Sequence, residues 1–286
     1  MNFPRELDAF IPRRSAFHTL EPDVVYAHEG GVPLRFDHYR ALEVDGPAPG
    51  LVFVHGGSWA RGDPTHVGPN AVRFAQMGVS TISLSYRLAP QHRFPAQLVD
   101  VLRGLAHVRS HAAELGIDPT RLALGGMSAG SHLALLAHVA SGVPEVAAAL
   151  PVELRSSGEA VTALVLQQGL YDLSNRVPYD DGSDPIADLL GARVDDAAWI
   201  HAVSPIHHVR GVRAPVLLVH GAADAVVRPR HSERLHAALL AAGRSSELVL
   251  LDHAEHAFQL AWESEANRRS NAAMEAFLAR HLLARR

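Results

Sequence analysis

The sequence predicts an α/β fold, with a mainly parallel central sheet, helices on both faces and a small cap. Three observations carry that prediction. Largely apolar runs recur at residues 51–54, 79–84, 161–166 and 215–219, and an apolar run without polar alternation is what a strand covered on both faces requires. Between them lie stretches with helical spacing, such as Leu98, Val101, Leu102, Leu105 and Val108, so strand and helix alternate. The chain of 286 residues is 48% hydrophobic. That is enough for one large core, and the expected organisation is a single domain over residues 1–286.

Taken in order, residues 1–22 are broken by Pro4, Pro12 and Pro22 and form the first candidate cap element. Val24-Val25-Tyr26-Ala27 and the alternating stretch 34–40 flank Gly30-Gly31, which predicts an antiparallel hairpin at one sheet edge. After a Pro/Gly linker, the strand at 51–54 runs into His55-Gly56-Gly57-Ser58-Trp59, and the strand at 79–84 runs into Tyr86-Arg87-Leu88-Ala89-Pro90. A helix follows from Pro95. Gly116-Ile117-Asp118-Pro119-Thr120 closes it and turns the chain into a short strand that ends in Gly126-Met127-Ser128-Ala129-Gly130, with a helix beyond to about Ala140. Residues 170–205 are polar and loop-rich, with room for one or two short helices. They are the second candidate cap element, and beside a site such a segment acts as a lid. The strand at 215–219 ends in His220-Gly221-Ala222-Ala223-Asp224, and a helix at 230–242, a strand at 247–251, a loop to His256 and a terminal helix to about Leu283 complete the chain.

Composition excludes several chemistries. Formal net charge is −4 and the basic residues are scattered, unlike the one-sided footprint of a nucleic-acid binder. There is no cysteine and no lysine, all 26 basic residues being arginine. Thiol nucleophiles, thiolate zinc sites, Schiff-base lysines and a P-loop lysine are thereby removed. The first residues lack the apolar run of a signal peptide, and no apolar stretch reaches the roughly 20 residues of a membrane helix. The expectation is a cytoplasmic protein that binds neither nucleic acid nor membrane and acts on a small molecule, with a homodimer left open.

In folds of this class ligands bind beyond the carboxyl ends of the parallel strands, and four flagged features lie there: His55 to Ser58, Ser128, Asp224 and His256. Gly-x-Ser-x-Gly between a strand and a helix forces the serine onto a strained turn with its hydroxyl exposed. A serine hydroxyl is a poor nucleophile, so an imidazole must take its proton, and a carboxylate on the far ring nitrogen must fix that imidazole's tautomer. The order serine, acid, histidine at 128, 224 and 256 fits these roles. The developing oxyanion needs preorganised amides, here those of Gly57, Ser58 and Ala129. His253 competes with His256, and Asp252 and Glu255 compete with Asp224, but neither acid follows a buried strand through a glycine-containing turn. His55 is expected to hold the loop by a hydrogen bond. His253 and His256 alone make a weak metal pair, so neither metal nor cofactor is expected. Trp59 and Phe258 are the candidates for substrate contact.

Together, His55-Gly56-Gly57-Ser58-Trp59, Ser85 to Pro90, Asp118-Pro119-Thr120-Arg121, Gly126 to Gly130, His220 to Asp224 and His256-Ala257-Phe258 resemble the ordered motifs of hormone-sensitive-lipase-like carboxylesterases of the α/β-hydrolase fold. The resemblance covers residues 50–260. It implies a cofactor-independent serine esterase that forms an acyl-enzyme on Ser128 with small to medium acyl, or aryl, esters. Ser58 stands where that family has a third glycine, and Met127 where it has an acidic residue. The loop His55-Gly56-Gly57-x-Trp59 with Ser128-Ala129-Gly130-x-His132-Leu133 looks more like the neighbouring branch of bacterial feruloyl or acetyl-xylan esterase-like proteins and arylformamidases. An arylformamidase using the same triad, and a non-catalytic binding protein on this fold, are the alternative readings.

Overall fold

In the computed structural model, which describes residues 18–41, 44–174, 182–261 and 264–284, the edge hairpin forms where its composition places it. β1 (His18–Glu29) and β2 (Val32–Ala41) pair antiparallel. Gly30 and Gly31 turn between them at φ of 57° and 81°, a region open to glycine without steric cost. β3 (Ala48–Val54), β4 (Ser80–Leu84), β5 (Ile117–Met127), β6 (Ala163–Gln167), β7 (Val216–Gly221) and β8 (Ser246–Leu251) complete an 8-stranded sheet of order β1-β2-β4-β3-β5-β6-β7-β8. β2 runs antiparallel to β1 and β4, and the neighbouring pairs from β4 to β8 are parallel. The carboxyl ends of β3, β5, β7 and β8 therefore open on one face.

Each central strand feeds two cores, because successive side chains point to opposite faces. Val52 and Val54 of β3, Leu122 and Leu124 of β5, and Leu164 and Leu166 of β6 join one cluster with Leu98, Leu102 and Leu105 of α2 (Ala96–Ser110) and Leu133 and Leu136 of α4 (Ala129–Val139). Leu51, Phe53, Ala123 and Val165 join the other, with Phe74 of α1 (Gly68–Gln76) and Met274, Phe277 and Leu278 of α9 (Glu265–Leu278). Each fully buried Leu, Val or Phe adds about 1.5–3 kcal/mol of transfer free energy, which is why these strands tolerate no polar alternation. The short helices α3 (Ala112–Leu115), α5 (Pro144–Ala148), α6 (Pro185–Leu190) and α7 (Ala197–Ala202), together with α8 (Arg230–Ala241), fill the remaining connections. The sequence pattern does not single out α1, a helix of nine residues that enters through Gly68-Pro69.

Two expectations are corrected. The turn at Asp118 to Thr120 lies inside β5, not before it. Pairing with β3 jumps from Pro49↔Asp118 to Gly50↔Leu122, so the intervening residues bulge and the missing Pro119 N–H costs no ladder bond. Of the cap element expected at 1–22, residues 18–22 lie in the strand β1, tied to β2 by the pairs His18↔Ala41 to Glu21↔His38. Residues 1–17 of that element, and 175–181 of the element 170–205, lie outside the described residues. The rest of the second element supplies α6 and α7, capped by Asp184 and Asp196. It packs on the segment after β4: the Phe94 N–H donates to the Leu189 carbonyl at 2.9 Å, and the Phe94 and Trp199 rings meet edge to face at 5.7 Å. No helix among the described residues is long and apolar enough to cross a membrane.

Candidate active site

Ser128 sits between β5 and α4 at φ 53° and ψ −120°, a strained backbone of the kind that costs about 1–3 kcal/mol and marks functional turns. The glycines around it are sterically required. A Cβ on Gly130 would overlap the carbonyl oxygen of Val54 in β3, and one on Gly126 would overlap Gly130 itself. The Ser128 N–H donates to the Gln167 carbonyl at 2.8 Å, which pins the turn to β6.

Three residues far apart in sequence meet at this turn. His256 Nδ1 lies 2.6 Å from Asp224 Oδ2, and His256 Nε2 lies 3.2 Å from Ser128 Oγ. A carboxylate can only accept, so Nδ1 carries the proton and Nε2 is left bare to receive one from the serine. Asp224 is 3% exposed. Burial alone would raise its pKa, but hydrogen bonds from His220, His256 and the Val227 amide, and the pull of the His256 ring once it is protonated, outweigh it and hold the carboxyl well below the usual range. Its Oδ1 also accepts the Val226 and Val227 amides at 3.0 and 2.8 Å. His220, buried behind it, donates Nε2–H to the Val227 carbonyl at 2.7 Å and lies 3.3 Å from Asp224 Oδ2. The competing residues Asp252, His253 and Glu255 are exposed, so the structure brings His256 and Asp224 to Ser128 and leaves the others outside.

The loop after β3 curls through φ of 117°, 54° and 58° at Gly57, Ser58 and Trp59. Ser58 and Trp59 hold left-handed backbone that residues with a Cβ seldom adopt, so this loop is strained in the way functional turns are. Ala60 and Arg61 donate back to the Gly57 carbonyl at 3.1 and 3.0 Å, which closes the curl. The Ala129 amide is the first of α4 and so has no acceptor within its own helix. His55 donates Nδ1–H to the Gly56 carbonyl at 2.8 Å and stacks on Tyr86 at 4.2 Å. Burial pushes its pKa down to about 4, so it is a neutral strut for the loop. The Trp59 and Phe258 rings, expected at substrate, pack instead into the two core layers at 2% and 6% exposure. Trp59 stands edge-on to His132 at 5.2 Å. Sequence reasoning missed Gln168, whose side chain accepts the Ala257 amide beside His256; its one signal was its place just beyond β6.

A sheet of this order with a strained serine after β5, an acid after β7 and a histidine after β8 defines the α/β-hydrolase fold. The BD-FAE family model matches residues 36–239, and the chain belongs to that family. Esterase LipQ and Esterase LipC of Mycobacterium tuberculosis are 34% and 33% identical over 219 and 220 residues, 75% of this chain in both cases. Those matches cover 51% and 54% of the relatives, so the chain spans about half the length of the curated relatives it matches. Thermogutta terrifontis esterase 2 phosphonylated by sarin superposes with a TM-score of 0.78 at 27% identity, covering 96% of this chain and 99% of that one. The same esterase with propionate bound gives 0.76 at 26%, covering 95% and 97%.

Proposed function

We propose that this protein is a serine carboxylesterase that hydrolyses small to medium acyl esters through an acyl-enzyme on Ser128. The observation that carries the proposal is the unbroken chain Ser128 Oγ, His256 Nε2, His256 Nδ1, Asp224 Oδ2, at 3.2 and 2.6 Å. In this reading Ser128 Oγ attacks the ester carbonyl as its proton passes to His256 Nε2, and the amides of Gly57, Ser58 and Ala129 receive the oxyanion. His256 returns the proton to the departing alkoxide, which leaves as the alcohol. A water then attacks the acyl-enzyme, giving one proton to His256. The acid departs and the proton returns to Ser128 Oγ. Asp224 stabilises the imidazolium throughout and stays ionised.

The relatives named as esterases support an ester as substrate, and the propionate-bound Thermogutta structure supports a short acyl group. That same esterase is phosphonylated by sarin, which makes organophosphates suitable probes here. Ser128→Ala should abolish turnover of p-nitrophenyl acetate while the fold is kept, and paraoxon should modify wild type once, on the peptide holding Ser128. His256→Ala should be inactive and His253→Ala active. Half of wild-type kcat in Ser128→Ala would refute the proposal, and a preference for N-formylkynurenine over aryl esters would redirect it to an amide hydrolase.

A further inference from the structure

Behind His256 lies a chain of side-chain amides that the triad does not use. Gln168 follows β6 with its backbone at φ 49°, fixed by its N–H to the Val219 carbonyl at 2.9 Å. Its side-chain Oε1 accepts the Ala257 N–H at 2.6 Å. Its Nε2 donates to Gln259 Oε1 at 2.8 Å, and Gln259 Nε2 donates in turn to the Met127 sulfur. One backbone group fixes the orientation of the whole chain. An N–H only donates, so the Gln168 atom facing Ala257 must be the oxygen; its amide nitrogen must then meet the Gln259 oxygen, and the Gln259 nitrogen is left for a sulfur that can only accept. Gln168 and Gln259 are 0% and 5% exposed. Buried amides without partners are costly, so this pair persists because both are satisfied.

The ends of the chain are its significance. Met127 precedes Ser128 and Ala257 follows His256, so the link joins the loop of the nucleophile to the loop of the base. Ala257 holds φ 61°, a left-handed conformation that a residue with a Cβ adopts only against steric repulsion. The hydrogen bond from its N–H to Gln168 Oε1 keeps it there. Release to negative φ would swing the peptide that carries His256, and the imidazole already stands 3.2 Å from Ser128 Oγ, at the long edge of a hydrogen bond. Little displacement is needed to break it.

We propose that Gln168 is a positioning residue for His256, acting with Gln259 to set the distance between the imidazole and Ser128. The proposal rests on the reading of Ser128 and His256 as nucleophile and base. It also gives Met127, where the sequence departs from the resembled motif, a partner across the site.

The test compares Gln168→Leu, which keeps volume but loses both side-chain hydrogen bonds, with Gln168→Glu, whose protonated carboxyl keeps an acceptor for Ala257 and a donor for Gln259. Steady-state turnover of p-nitrophenyl acetate, its pH profile and the low-field proton resonance of the imidazole bonded to Asp224 are measured for each. Gln168→Leu should lower kcat by about 10- to 100-fold with KM little changed, alter the pH profile and broaden the resonance. Gln168→Glu should recover most of kcat and the sharp resonance. Wild-type kcat and pH profile in Gln168→Leu, or no recovery in Gln168→Glu, would overturn the proposal. Should Gln168→Leu fail to fold, Gln259→Leu, which strips the support from the Gln168 amide, must show the same change of pH profile in smaller measure, and a wild-type profile there overturns it. A wild-type chain without ester turnover sinks the esterase reading instead, and the imidazole resonance then tests the positioning alone.

Discussion

Acid should unfold this protein well above the pH at which its carboxylates titrate. His38, His55, His132 and His231 are buried, and burial pushes the pKa of each from 6.5 down to about 4. Above pH 6.5 these imidazoles are neutral whether the chain is folded or not. As pH falls through 6.5 toward about 4 the unfolded chain takes up protons that the folded chain refuses, so stability is lost across that window. At about pH 5.5 each imidazole removes about 1.4 kcal/mol, and the four together about 5.6 kcal/mol. A whole domain commonly has roughly 5–15 kcal/mol, so this loss decides whether it stays folded. Asp37 and Asp100, whose pKa values burial raises, bind protons more tightly when folded and oppose the loss at the acid end. Urea unfolding followed by circular dichroism from about pH 8 to about pH 5.5 measures the slope. His132→Gln keeps a donor for the Val203 carbonyl, which the imidazole Nε2 reaches at 2.9 Å, and should lessen the loss by about 1.4 kcal/mol at about pH 5.5. A urea midpoint that does not move across this range would refute the reasoning.

Two further predictions concern packing. Arg87 donates Nε and Nη2 to Asp100 at 2.9 and 2.7 Å, and the Asp100 side chain is fully buried; Arg87→Ala strands that carboxyl and should cost about 3–5 kcal/mol in urea unfolding near neutral pH. Gly130→Ala forces a Cβ into the Val54 carbonyl, so α4 must lift from β3. Stability should fall by about 3 kcal/mol and ester turnover with it, whereas Gly142→Ala, which meets nothing within 4 Å, should stay within about 0.5 kcal/mol of wild type.

The strands and the candidate residues Ser128, Asp224 and His256 were legible in the sequence because both depend on local pattern. A strand covered on both faces must be apolar at every position, so β3, β6 and β7 announce themselves, and a serine that has to be exposed on a tight turn needs glycines two residues to either side. The acid and the histidine were found by their places after such strands. Tertiary structure decided what depends on neighbours brought from elsewhere in the chain. His253 and His256 lie three residues apart, and only the left-handed turns of the β8 loop, at φ 58° for His253 and 61° for Ala257, send one imidazole to Ser128 and the other to solvent. Trp59 reads as an aromatic on the oxyanion loop, yet its ring fills space beside His132 that the sequence does not reveal. Gln168 has no motif. Its contact exists only because β6 lies between β5 and β7, where a side chain just past the strand's end reaches the amide beside His256, 89 residues distant along the chain.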